Sequence, residues 1–116
     1  MIIVDDEEFI RNLLLEELSS AGYKVLAAPD GNEAIQLLQE NTFDLAVLDI
    51  QMPNVNGIEV LKHIHQNHPG LKVIMLTGYG NLKYAMESRE YGAVDFISKP
   101  FNISDVLSTI GRVLDE

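Results

Sequence analysis

Phe43-Asp44-Leu45-Ala46-Val47-Leu48-Asp49 is the stretch on which the fold turns. It is nearly all apolar and then stops at a carboxylate. A run of this kind reads as a central strand covered on both faces, as in a parallel sheet flanked by helices. Three other runs stop in the same abrupt way. Met1-Ile2-Ile3-Val4 ends in Asp5-Asp6, Val73-Ile74-Met75-Leu76 ends in Thr77, and Ala93-Val94-Asp95-Phe96-Ile97-Ser98 ends in Lys99-Pro100. Strand-like and helix-like segments alternate from end to end, which predicts βαβ units and a parallel sheet. Parallel strands put their carboxyl ends on one edge, where open α/β sheets place the ligand crevice. Three carboxylates, a hydroxyl and an ammonium then converge there. Those groups suit a divalent cation and a phosphoryl group.

The length of 116 residues suits one domain. A hydrophobic content of 47% is ample for a core at this length. There is no cysteine, so disulfides and thiolate metal sites are excluded. No signal peptide, leader or bilayer-length apolar run is evident, and a cytoplasmic location away from membranes is the default expectation. The formal net charge of -10, from 18 acidic and 8 basic residues, should repel nucleic acid and anionic membranes. Most of these acids suit a solvated surface. Glu7 and Glu8 also suit a helix N-terminus, whereas Asp5, at a strand end, gains nothing from a helix dipole.

The first helix is predicted from about Glu7 to Ala21, stopped by Gly22, with Ile10, Leu13, Leu14, Leu18 and Ala21 as its apolar stripe. Glu17 falls inside that arc and Leu15 outside it, which marks Leu15 as a candidate exposed contact. Tyr23–Ala27 reads as a strand. Asp30-Gly31-Asn32-Glu33 has the pattern of a capping box, and Pro53–Gly57 is a turn cluster ahead of a helix carrying Ile58, Leu61 and Ile64. Asn81–Tyr91 has only the thin stripe Leu82, Ala85 and Met86 and is expected to be the most mobile helix. The last helix opens at Asn102, a good N-cap, and carries Val106, Leu107, Ile110, Val113 and Leu114. His63, His65 and His68 are expected to be exposed and not to bind metal, since two of them alternate rather than share a face.

Like charges about 5 Å apart repel by roughly 3 kcal/mol at an effective dielectric near 20. Asp5, Asp6 and Asp49 together should therefore bind a proton or a cation. Mg²⁺ suits few carboxylates, several waters and an incoming phosphate oxygen, whereas Ca²⁺ would require more protein oxygens. A carboxylate beside such a cation can attack phosphorus and form an aspartyl phosphate. Lys99 adds a point positive charge, and the Thr77 hydroxyl can donate to a phosphoryl oxygen.

Val4-Asp5-Asp6-Glu7, Leu48-Asp49-Ile50-Gln51-Met52-Pro53, Gly57, Leu76-Thr77-Gly78 and Lys99-Pro100-Phe101 occur in order, with ordinary spacing, over essentially the whole chain. Together they resemble the motif set of two-component response-regulator receiver domains. The resemblance implies a single receiver domain over residues 1–116. Its fold would be a (βα)5 doubly wound, five-stranded parallel sheet in the flavodoxin-like order 2-1-3-4-5, with helices on both faces. It also implies that Asp49 is the phosphoacceptor, taking its phosphoryl group from a phosphohistidine on a sensor histidine kinase or phosphotransfer protein. Asp5 and Asp6 would be the metal-binding pair, and Gln51 would offer its backbone carbonyl to Mg²⁺. Thr77 and Lys99 would bind phosphoryl oxygens. Phe96 stands at the switch-aromatic position, where it lacks a tyrosine hydroxyl, and the Lys99–Pro100 bond is expected to be cis. Gln51 and Tyr79 stand where water access to the acyl phosphate would be tuned. A bulky Tyr79 is expected to slow dephosphorylation.

The implied function is a phosphorylation-controlled switch. It is not an enzyme beyond Mg²⁺-dependent self-phosphorylation and autodephosphorylation. Thr77 moving towards the phosphoryl group would vacate space that Phe96 can fill. That movement would alter the surface of Asn81–Tyr91, the last strand and Asn102–Glu116, where an output domain or a second copy could dock. No element of the chain is suited to contact DNA directly. Three other readings compete. A flavodoxin-like cofactor binder would need a phosphate loop where Asp5-Asp6-Glu7-Glu8 stands. A Mg²⁺-dependent aspartyl-phosphate phosphatase usually carries a second acid where Gln51 stands. A receiver-like scaffold that never accepts phosphate would not need the complete acceptor set.

Overall fold

A computed structural model describes residues 1–52, 56–78 and 82–115. Pro53, Asn54 and Val55 of the predicted turn cluster, and Tyr79, lie outside the described residues. Five strands alternate with five helices: β1 (Ile2–Val4), α1 (Glu8–Ser20), β2 (Leu26–Ala28), α2 (Gly31–Glu40), β3 (Leu45–Asp49), α3 (Gly57–Asn67), β4 (Lys72–Thr77), α4 (Leu82–Glu90), β5 (Asp95–Ser98) and α5 (Ile103–Asp115). All ladders are parallel, and the strand order is β2-β1-β3-β4-β5. The carboxyl ends of β1, β3, β4 and β5 therefore share one edge.

Alternation along each strand divides the core in two. Ala46 and Leu48 of β3 join Ile2, Val4, Val73 and Met75 beneath α2 and α3. Leu45 and Val47 join Ile3, Ile74, Leu76 and Ile97 beneath α1 and α5. Every residue of β3 is buried, which is why its sequence shows no polar alternation. On α5, Val106, Ile110 and Val113 are fully buried, as the stripe predicts. Both predicted N-cap residues accept a backbone bond: the Asp30 carboxylate from the Glu33 amide at 2.9 Å, which is the Asp30 half of the capping box, and Asn102 Oδ1 from the Asp105 amide at 2.8 Å.

Some boundaries differ from expectation. α1 spans Glu8–Ser20, one residue shorter at each end than predicted. Ala21 of its predicted stripe is exposed, while Leu15 and Glu17 are both half-buried. β2 begins at Leu26 rather than Tyr23. It is an edge strand paired with β1 from Ile2↔Leu26 onward, and just before that ladder the Met1 amino group donates to the Lys24 carbonyl at 2.6 Å. On α4, Met86 is 65% exposed rather than part of an inner stripe, and Ser88 is buried, its hydroxyl donating to the Tyr84 carbonyl at 2.7 Å. No helix among the described residues is long and apolar enough to cross a membrane.

The first turn of α3 is pressed against the end of β3. The Gly57 amide donates to the Ile50 carbonyl at 2.9 Å, and Asn56 caps the helix by accepting from the Glu59 amide at 3.1 Å. A Cβ at Gly57 would stand 2.1 Å from the Asp49 carbonyl oxygen, a backbone atom that cannot swing aside. Gly57→Ala is therefore expected to lower stability by about 3 kcal/mol, the upper range for overpacking. It should also displace Asp49. Urea unfolding measures the first effect, and the yield of phosphorylated protein measures the second.

Candidate functional site

β1 and β3 are neighbours in register, so Asp5 and Asp49 follow equivalent strand ends. Asp5 is fully buried and Asp49 is 4% exposed, while Asp6 faces solvent. Carboxylate oxygens of Asp5, Asp6 and Asp49 lie within 4.8 Å of one another. Lys99, at the end of β5, reaches across β4. Its Nζ donates to Asp5 Oδ2 at 2.8 Å and to Asp49 Oδ2 at 3.2 Å, and it stands 3.5 Å from Glu7 Oε1. The Lys99 amide donates to the Thr77 carbonyl at 2.7 Å, and the Lys99–Pro100 peptide bond is cis. Thr77 is the last residue of β4, paired with Ser98.

Local hydrogen bonds orient the acids. Asp5 Oδ1 accepts from the Glu7 amide at 2.9 Å, and Asp49 Oδ1 accepts from the Gln51 amide at 3.3 Å. Arg11 donates to the Asp5 carbonyl at 3.0 Å, tying α1 to the site. Burial, and then the charge of Asp5, push the Asp49 carboxyl up to about 6 against the opposing pull of Lys99 and the Gln51 amide. Burial by itself would lower the Lys99 ammonium. The hydrogen bond to Asp5 and the charges of Asp49 and Asp5 outweigh it and hold Lys99 above its ordinary value. One ammonium thus faces two buried carboxylates, with a third acid at the rim, and this imbalance favours a further cation. Hard oxygen donors, few in number and open to water on the Asp6 side, fit Mg²⁺. A cavity of about 480 Å³ opens there, lined by Asp6, Ile50, Gln51, Met52, Asn56 and Tyr84.

Phe96 stands apart from the acids. It is half-buried against the α2–α3 side of the core, and the Arg89 guanidinium lies 5.7 Å from its ring centre. Sequence reasoning does not reach two features. In the sequence Glu7 is only a helix-end charge, yet it belongs to the Lys99 cluster. Tyr84 has no role there, and nothing in a helix stripe marks it as the wall of a cavity. Of the three histidines expected to be exposed, only His65 is. His63 and His68 are half-buried with ring centres 5.5 Å apart, and their Nε2 atoms are buried without hydrogen-bond partners among the described residues. Burial, and then the charge of His68, lower the His63 pKa. The cause is the end of α3: His68 is its C-cap, and the chain turns there instead of continuing the helical spiral.

A doubly wound parallel sheet thus carries a buried acidic cluster and a lysine at its carboxyl edge, where open α/β sheets place their sites. Residues 1–111 match the family described as the response regulator receiver domain, and the chain belongs to that family. It is 37% identical to the DNA-binding transcriptional regulator NtrC of Klebsiella pneumoniae over 97% of this chain, but spans only 24% of that protein's length. It is 35% identical to sporulation initiation phosphotransferase F of Bacillus subtilis (strain 168), covering 98% of this chain and 92% of that one. Among solved structures, the receiver domain of NtrX from Brucella abortus superposes with a TM-score of 0.92 at 34% identity, covering 98% and 97% of the two chains. As a receiver domain of two-component response regulators, the chain is of the class of phosphorylation-controlled switches, in which the domain itself is a phosphoacceptor rather than an enzyme acting on other molecules.

Proposed function

We propose that Asp49 accepts a phosphoryl group from a phosphohistidine on a sensor histidine kinase or phosphotransfer protein, and that the domain carries this signal to an output domain or to a second copy. The observation that carries the reading is the placement of Asp49. It is nearly buried, shares an oxygen cluster with Asp5 and Asp6, and touches Lys99. A carboxylate oxygen of Asp49 attacks phosphorus, the P–N bond to the protonated donor ring breaks, and neutral imidazole leaves. Lys99 offsets charge on the phosphoryl oxygens, and the Thr77 hydroxyl donates to one of them. Mg²⁺, held by Asp5, Asp6, Asp49 and the Gln51 carbonyl, would neutralise charge on the transferring group. Hydrolysis of the acyl phosphate by water returns the carboxylate.

The phosphoryl group adds about -1.5 to -2 charges and strong acceptors. Thr77 moves towards them, and Phe96 moves inward into the space released. That movement separates Phe96 from Arg89, a cation–π contact of about 0.5–1 kcal/mol at an exposed position. Moving such a switch from mostly off to mostly on needs about 5.5 kcal/mol of differential interaction, so the Arg89 contact biases the equilibrium without blocking it. The affected surface is that of α4, β5 and α5, where Met86 and Val94 are exposed.

The test is a Mg²⁺ titration with a small phosphodonor on the wild type and on Asp6→Asn. Labelling of the wild type should saturate with Mg²⁺ and vanish with chelator, and the variant should require far more metal. Labelling that ignores Mg²⁺ would contradict the reading.

A further inference from the structure

We propose that Tyr84 is a specificity-determining residue that forms the wall of the donor's leaving-group subsite and favours a planar, ring-bearing phosphoramidate over a small acyl phosphate. This rests on Asp49 being the phosphoacceptor and goes further by naming what selects the donor. The cavity of about 480 Å³ beside the acids is lined, among the described residues, by Asp6 of the acid cluster and by Ile50, Gln51, Met52, Asn56 and Tyr84. Neither Lys99 nor Asp49 is among its described lining residues. The Lys99 ammonium is engaged with Asp5, Asp49 and Glu7. The group leaving phosphorus departs opposite the attacking oxygen, and this cavity, which meets the acid cluster at Asp6 and the chain just after Asp49 at Gln51, offers it room. Two of its linings are apolar and nearly or fully buried, Ile50 and Met52. Tyr84, in the first turn of α4, is 37% exposed, so it walls the opening while part of the side chain stays within reach of water. An aromatic ring and a thioether make a site for another flat ring, through stacked or edge contacts and sulfur–aromatic contact. The methyl of an acetyl group gains little from either.

The step balances for both donors. Asp49 forms an O–P bond in each. The P–N bond of a protonated phosphoimidazole breaks to release neutral imidazole, and the P–O bond of acetyl phosphate breaks to release acetate. The donors differ only in the leaving group that meets Tyr84.

The experiment compares kcat/KM for monophosphoimidazole and for acetyl phosphate, with Mg²⁺ saturating, in the wild type, Tyr84→Phe and Tyr84→Ala. The ratio of the two efficiencies should fall about three- to tenfold in Tyr84→Ala, the range expected of one aromatic contact, and should be largely kept in Tyr84→Phe. Mg²⁺ binding measured on each variant reports whether the fold and the acid cluster survive. An unchanged ratio in Tyr84→Ala overturns the proposal, as does an equal loss with Phe and Ala, which would assign the effect to the hydroxyl. A wild type that neither donor labels overturns the phosphoacceptor reading itself, an outcome distinct from a labelled wild type with an unmoved ratio.

Discussion

Asp49→Asn is expected to stabilise the metal-free domain at pH 7 by about 3 kcal/mol, although it removes the group on which the function depends. The Asp49 carboxyl is raised from 3.8 to about 6 in the folded chain by burial and by Asp5. A rise of that size corresponds to about 3 kcal/mol of preference for the protonated form. Below pH 4 the group is protonated in both folded and unfolded chains, and its contribution is fully favourable. Between pH 4 and 6 the folded chain holds the proton and the unfolded chain does not, so stability falls as pH rises. Above pH 6 the penalty is complete. The wild type should therefore fall progressively below Asp49→Asn from pH 4 to 6 and then run parallel to it, as read from urea midpoints at constant slope. Saturating Mg²⁺ should lift the wild type by mass action and lift the variant much less. A variant less stable than the wild type at pH 7 without metal would mean that Asp49 is not held against its charge.

Lys99→Met should move stability the other way. It leaves Asp5, fully buried, and Asp49, nearly so, without their shared ammonium. Removing one partner from a buried ion cluster costs about 3–5 kcal/mol, because the charges left behind stay desolvated. The same change removes a positive charge from beside the metal-binding oxygens. Mg²⁺ affinity should therefore rise several-fold while the metal-free fold weakens. Calorimetric Mg²⁺ titration and urea unfolding on the same preparation test both signs. A simple loss of packing would weaken the fold without tightening metal binding. The yield of phosphorylated protein should fall despite the tighter metal, since Lys99 is read as a ligand of the phosphoryl group and not of the cation.

The sheet was legible because its strands are buried on both faces and stop at functional residues. Leu45–Leu48 has no alternation to confuse with a helix, and Asp49 marks where it ends. The acid cluster followed once Val4, Leu48 and Ser98 were read as parallel strand ends. Edges and surroundings were less legible. Nothing in Tyr23-Lys24-Val25 reveals that ladder pairing starts only at Leu26. His63 and His68 are five residues apart, a spacing that is not a helical face, and they meet only because the chain turns at His68. Glu7 joins Lys99 through the bend between β1 and α1, a contact that no charge pattern within the helix predicts. Tyr84 reaches the site from a helix with almost no inward stripe, so periodicity gives its ring no destination.

Whether Asp49 is the acceptor is decided by intact-mass spectrometry after incubation with a small phosphodonor and Mg²⁺. The wild type should gain one phosphoryl group, lost on mild base as an acyl phosphate is, and Asp49→Ala should gain none. Undiminished labelling of Asp49→Ala would place the chemistry on another residue and contradict that assignment.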